Sequence, residues 1–220
     1  FFDNATGIKE TIQTEILPDI ILMPNVGTRG VMWQEIEGKR RLSPATYVLP
    51  IFLLENPDRI LIRLTGEFRY EMCKRTQGAR WNDISDPSLT SEYCDYVQFY
   101  RKNNDLSPDA KEKLKTALAK ARNSYKEMFI MDYLSWILFE AKGSPRLNKI
   151  ARRILFTYCP FPEETRIKLT ANPLYKEIME RWVIKRAQKR HKFENVCKKI
   201  TAQGKQIPDE LLKQREFLNL

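Results

Sequence analysis

Apolar side chains recur every three or four positions through most of the chain after residue 55. Ile60, Leu61, Leu64, Phe68 and Met72 fall on one helical face. Leu89, Tyr93, Tyr96, Val97 and Tyr100 form a second stripe, and Leu147, Ile150, Ala151, Ile154, Leu155 and Tyr158 a third. Tyr175, Ile178, Met179, Trp182 and Val183 form a fourth, which Phe193, Val196, Cys197 and Ile200 continue if that helix is unbroken. Five pairs, Asn56-Pro57, Asp86-Pro87, Ser107-Pro108, Ser144-Pro145 and Asn172-Pro173, predict where these helices begin. The first residue of each can accept from a free backbone N–H, and proline lacks the N–H that would be orphaned at the first helical position. Gly78, Gly143 and Gly204 predict helix ends. A helix running from Ser107 to Lys142 would be roughly 50 Å long at about 1.5 Å per residue. Its second half is apolar nearly all round, as in a central buried helix; a break near Asn123-Ser124 is the alternative. PDELLKQREFL, 208–218, fits a short last helix.

The first 55 residues lack this period. PDIILMP, 18–24, is a short apolar run between prolines, and VGTRG, 26–30, is a turn. ATYVLPIFLL, 45–54, is β-branched and aromatic, and Pro50 argues for an edge strand or an irregular segment. A hairpin between 31–37 and 45–54 is expected. The fold class predicted is mainly α: an irregular multi-helix domain with a small β or extended N-terminal subregion, 1–55, on a helical body, 56–220. The two parts are expected to form one domain. The start at Phe1 rather than Met predicts a fragment of a longer chain. The unequal intervals between the proline pairs argue against a repeat protein.

Composition narrows the class. Of 220 residues, 42% are hydrophobic and 11% aromatic, too many for a disordered chain. The longest apolar stretch, MFIMDYLSWILF (128–139), is too short and too interrupted for a transmembrane segment. Cys73, Cys94, Cys159 and Cys197 are widely separated, with no CxxC spacing. They read as reduced thiols of an intracellular, cytoplasmic protein. Charge is uneven: residues 1–110 hold 13 Lys or Arg against 16 Asp or Glu, a net −3, and residues 111–220 hold 25 against 12, a net +13. Such asymmetry points to a polyanionic partner for the second half or to attraction between the halves.

Catalytic chemistry is thinly represented. His191 is the one histidine, and Cys197, six residues on, lies on another side of the same helix. GTRG lacks the longer glycine pattern and the Lys-Ser/Thr of a phosphate loop. Asp132, in an apolar run, is costly unless partnered, and an Arg or Tyr partner is the favoured reading. Glu67 and Glu71, one helical turn apart, read as surface charge. No cofactor or metal is expected.

Two basic faces remain. Arg146, Lys149, Arg152 and Arg153, with Phe156 among them, lie opposite the apolar side of a helix read as 144–158. Cations interleaved with an aromatic suit a polyanion on which a base can stack; the alternative is a solvated face with Phe156 packed on a neighbour. Arg186, Lys189 and Arg190 lie on the same face as Tyr175, Ile178 and Trp182 and interrupt it. Either that face is exposed there, or the helix breaks, or anions meet the cations. The function expected is a non-enzymatic protein-interaction or scaffold domain of a larger protein, partnered by another protein or a flanking domain. Its rivals are a module binding RNA or DNA through the basic half, and an enzyme fragment whose site another domain completes. Attachment to an anionic membrane surface is disfavoured.

Overall fold

Asn56 marks the change from extended chain to helix in the computed structural model, which describes residues 1–4, 7–10, 12, 17–24, 27, 29–33 and 46–219. Its Oδ1 accepts from the Asp58 N–H at 2.8 Å, Pro57 fills the first helical position, and Gly78, at φ 59°, closes α1 (Pro57–Gln77). Ser107 caps α3 (Pro108–Lys120) in the same way, accepting from the Ala110 N–H. Asp86-Pro87 and Ser144-Pro145 precede a helix that another residue caps. α2 (Leu89–Gln98) is capped by Ser88, whose hydroxyl accepts from the Ser91 N–H while the Ser91 hydroxyl accepts from the Ser88 N–H. α5 (Lys149–Tyr158) is capped by Asn148, not Ser144. The segment after Pro145 is not helical, because the Arg146 and Leu147 N–H groups donate to the Glu140 carboxylate instead. After Asn172 comes one 3₁₀ turn, Pro173–Tyr175, and then α7 (Lys176–Thr201), which has no side-chain cap.

The long helix expected from Ser107 is broken. α3 ends at Lys120, Arg122 and Asn123 take left-handed φ of 52° and 60°, and Ser124 caps α4 (Tyr125–Leu138). α6 (Glu163–Leu169) is a short helix that no apolar stripe announced, and α8 (Asp209–Asn219) is the expected last helix. The described residues thus form eight α-helices and a small N-terminal β region, a mainly α fold.

The chain divides into two compact units, Pro18–Pro173 and Phe1–Leu17 with Leu174–Leu220. The boundary expected at residue 55 falls inside the first of these.

In the Pro18–Pro173 unit, β3 (Asp19–Met23), β5 (Thr46–Pro50) and β4 (Val31–Trp33) form one sheet in that order. β5 is central, parallel to β3 (Ile21 opposite Val48) and antiparallel to β4 (Val31 opposite Val48). The expected antiparallel pairing is present, with residues 34–45 outside the described ones. Pro50 does not make β5 an edge: it is the last ladder residue, and the next N–H, of Ile51, bonds the Met23 carbonyl. Of the turn expected at 26–30, residues 26 and 28 lie outside the described ones, and Gly27 and Gly30 have positive φ. At Gly30 a Cβ would stand 3.0 Å from the Val48 carbonyl oxygen, so the turn needs glycine there.

Tyr47 and Leu49 of β5 pack on Ile60, Leu64 and Phe68 of α1, with Met32 of β4 beside them. α1 lies closely along α4: a Cβ on Gly66 would meet the Tyr133 ring at 3.0 Å. α4 carries Met128, Phe129, Ile130, Tyr133 and Trp136 inward, and the stripe of α2 (Leu89, Tyr93, Tyr96, Val97) is buried as expected. The ring of Phe129 meets those of Tyr70, Tyr93 and Tyr133. Lys126 joins α4 to α1 by pairing with Glu67 at 3.0 Å and Glu71 at 3.2 Å, so that carboxylate pair is a clamp on a lysine.

In the second unit, β1 (Phe2–Asp3) pairs antiparallel with β2 (Ile8–Lys9). Phe193, Cys197 and Ile200 of α7 and Leu211 and Leu218 of α8 form its core, with Phe1, Ile8 and Ile12 packed against them. Arg215 of α8 makes two bonds to Glu194 of α7, at 2.7 and 2.5 Å, and Lys205 pairs with Asp3 at 2.9 Å.

Candidate functional site

The expected basic face of α5 does not assemble. Because α5 starts at Lys149, Arg146 lies before the helix, its guanidinium over the Phe139 ring at 3.6 Å. Lys149 is exposed. Arg152 points inward, with Nε 2.9 Å and Nη2 3.2 Å from the Glu140 carboxylate. Arg153 is half-buried, 3.6 Å from Glu92, which also accepts from the Tyr158 hydroxyl at 2.5 Å. Phe156 is fully buried, edge-on to Trp136 at 6.1 Å, where no base can stack. The exposed face read from sequence is corrected by the packing: α5 is enclosed on most sides, and Glu140, just after α4, and Glu92 of α2 meet Arg152 and Arg153.

Glu140 was missed. It follows α4 in a stretch, EAKG, that resembles surface, yet it is fully buried and takes the Arg146 and Leu147 N–H groups and Arg152. Buried carboxylates of this kind are hydrogen-bonded and charge-paired. Nearby, Asp132 accepts from the Tyr93 hydroxyl at 2.6 Å, the tyrosine partner favoured from sequence. Burial raises its carboxyl to about 6, with the Tyr93 bond opposing and the Glu140 charge adding. Asn148 donates to Tyr96 at 2.6 Å while capping α5. The hydrogen bonds of this group join α2, α4 and α5. Arg166, also missed, is buried and donates to the carbonyls of Phe156, Cys159 and Phe161 past the end of α5. Burial pushes the Cys159 thiol up to about 12, so it is unreactive. Among the described residues no three His, Cys, Asp or Glu side chains cluster to hold a metal ion.

α7 is continuous and keeps its cations outward. Its buried residues are Ile178 near the start and Phe193, Cys197 and Ile200 near the end. Between them Lys185, Lys189, Arg190, His191 and Lys192 are exposed and Arg186 is half-buried over the Trp182 ring at 4.9 Å. The expected apolar stripe stops early: Trp182 is half-buried and Val183 is 47% exposed. Of the three outcomes foreseen for this face, a break in the helix is the one the structure removes. Arg190 donates to the Leu218 carbonyl at 3.2 Å, and desolvation holds the Lys189 ammonium below its ordinary pKa, with the Glu10 charge opposing in part. Arg152 and Arg153 belong to one compact unit and Arg186, Lys189 and Arg190 to the other.

An extended apolar surface was also missed. All five residues of β3 are exposed, Ile20 at 59% and Leu22 at 63%. The chain leaving β5 adds Ile51, Phe52 at 79%, Leu53 and Leu54 at 80%. The core beneath the sheet draws on β5 and β4 and takes nothing from β3. A signal was present: successive residues of a strand face opposite ways, so four consecutive apolar residues in a short run leave one face to be covered from outside.

No helix among the described residues is long and apolar enough to cross a membrane. No curated protein and no solved structure matches the chain. One family does, over residues 78–217, from the end of α1 into α8 and including all of α7. The chain belongs to that family, described as a domain of unknown function, DUF8509.

Proposed function

We propose that the protein is a protein-interaction module, working by binding rather than catalysis, which takes an extended segment of a partner protein along the outer edge of β3. The observation that carries this is the exposure of Ile20, Ile21, Leu22 and Met23 on both faces of an edge strand, continued by Ile51, Phe52 and Leu54. Single exposed apolar residues are ordinary, but a contiguous set of this kind is rare on a monomer and typical of a binding surface. The edge selects the partner's shape. One side of β3 pairs with β5, and among the described residues no strand lies on the other. Its outward N–H and C=O groups suit an added strand, and its side chains suit apolar residues on alternate positions of that strand.

A photo-cross-linking amino acid placed at Ile21 or Phe52 in the whole protein, expressed in its native cells, should give the same protein adduct from both sites. The same group at exposed Lys113 should not. Ile20→Lys/Leu22→Lys should keep the melting temperature and lose the adduct. Adducts unaffected by the lysines, or adducts only to a second copy of this chain, would overturn the reading.

A further inference from the structure

Arg69 is half-buried on α1, yet among the described residues its guanidinium makes no hydrogen bond, ion pair or ring contact. Elsewhere in the Pro18–Pro173 unit comparable cations are answered within the fold. Arg153 reaches Glu92, Lys126 reaches Glu67 and Glu71, and Arg63 donates to the Arg29 and Gly30 carbonyls. At about 100° per residue, Arg69 lies on α1 between Phe68, whose ring meets Tyr47 of β5 at 6.0 Å, and Gly66, which packs on Tyr133 of α4. Thr65 is one turn before it on the same side and accepts from the Tyr47 hydroxyl at 3.4 Å, a long bond. The Tyr133 ring stacks on Phe161 at 6.2 Å. Its hydroxyl has no partner among the described residues and is not sealed from solvent. Burial pushes the Tyr47 and Tyr133 hydroxyls and the Cys159 thiol up, and the Arg69 charge opposes that rise in all three. Both tyrosines therefore stay protonated at neutral pH, as donors.

The open groups here are thus a guanidinium and a phenolic O–H. Glu67, whose charge Tyr47 also feels, is held by Lys126. Such a donor set calls for an anion, and the planar fork of arginine matches a carboxylate or a phosphate. Charge chooses between them. Arg166, the other cation that Cys159 feels, spends its N–H groups on the Phe156, Cys159 and Phe161 carbonyls, which leaves Arg69 to meet the ligand. A phosphate monoester carries about −1.5 to −2 near pH 7 and would stay unbalanced against it. We propose that Arg69 and the Tyr133 hydroxyl bind the carboxylate of an organic acid, either a free acid or the C-terminus of a peptide. Phe161, half-exposed beside Tyr133, gives the acid's apolar part an aromatic wall. The site is independent of the β3 edge.

The test is NMR of the whole protein labelled at arginine Nε, with the Arg69 resonance assigned by its absence from Arg69→Lys. The probes are benzoate, benzamide, inorganic phosphate, and N-acetyl-Gly-Phe with a free or an amidated C-terminus. Benzoate or the free-acid dipeptide should move the Arg69 resonance saturably, with a Kd on the order of 1 mM for so small a ligand. The resonance of exposed Arg122 should stay in place. Binding of benzoate assigns a free acid, and binding of the dipeptide alone assigns a peptide terminus. Arg69→Gln should weaken binding at least tenfold, the scale of a lost hydrogen bond to a charged group. Tyr133→Phe should weaken it about tenfold yet melt like the unaltered protein, because the hydroxyl bonds nothing in the fold. If Arg69→Gln does not melt cooperatively, the titration of the unaltered protein and Tyr133→Phe decide. Equal shifts from the neutral amides, phosphate binding tighter than either acid, undiminished binding by Tyr133→Phe, or no saturable shift from either acid would each overturn the proposal.

Discussion

Glu140 sits without solvent contact because the Arg146 and Leu147 N–H groups and the Arg152 guanidinium all converge on its carboxylate. Replacing it with Ala strands a buried guanidinium and should cost about 3–5 kcal/mol. Glu140→Leu/Arg152→Met should recover only part of that loss. The Arg146 and Leu147 N–H groups would still lack an acceptor, at about 1–3 kcal/mol for a buried donor. Urea denaturation of both single variants and the double variant checks this, and full recovery would show that the backbone bonds contribute nothing. Asp132 makes a different prediction. Its folded-state pKa, about 6, lies above the ordinary carboxylate value, so between those values the folded protein binds the proton more tightly than the unfolded chain does. Ionisation therefore costs stability, which should fall as pH rises from about 4 to 6. Asp132→Asn still accepts from Tyr93 and cannot ionise. Relative to the unaltered protein it should gain about 1–2 kcal/mol between pH 4 and pH 7, allowing for the carboxyl's partial exposure. Equal pH profiles for the two proteins would count against it. Asp132 was legible because a lone acid in an apolar run stands out, whereas Glu140 was not, because what buries it is a non-helical segment with no periodicity.

At the level of elements, local chemistry was legible wherever it had one solution. Asn56 and Ser107 cap the helices their prolines announced, and Gly78 ends the first of them. Ser144-Pro145 has two solutions, since the residue before a proline is extended in either case, and Asn148 four residues on is the better cap. Asn148→Ala should therefore cost about 1–2 kcal/mol, while Ser144→Ala should change stability by less than about 0.5 kcal/mol. Thermal melts of the two variants check this, and the reverse order would restore the start read from sequence. The α3–α4 break was foreseen only as an alternative, because the helical pattern runs through it without glycine or proline. Arg122 there adopts a left-handed backbone that costs a side-chain-bearing residue about 1–2 kcal/mol, against an entropic cost of about 0.5–1 for glycine. Arg122→Gly should stabilise the protein by up to about 1 kcal/mol, measurable as a raised denaturation midpoint.

On the scale of the whole molecule, the family match covers α7 and most of the helical body but not the sheet. The charge asymmetry between halves was legible by counting, yet it overstated the basic surface of α5, because pairing with Glu140 and Glu92 is a tertiary fact. The joining of the first 17 residues to the last 47 was not legible at all, since contact between distant segments leaves no period in either. That contact makes its own prediction. Ile8→Ala, removing apolar volume packed on Phe193, Cys197, Ile200, Leu211 and Leu218, should speed amide exchange in α8 while leaving α4 protected. The same feature sets the order of events at the ribosome. Phe1–Leu17 emerges before Pro18–Pro173 but finds its partners only after that unit has been made, roughly 8–30 s later at about 5–20 residues per second. During that interval Phe1–Leu17 waits for the helices it packs against, while the unit encoded after it folds. Translation arrested shortly after Pro173 has cleared the exit tunnel should therefore yield a protease-resistant Pro18–Pro173 and a leading segment that is cut away.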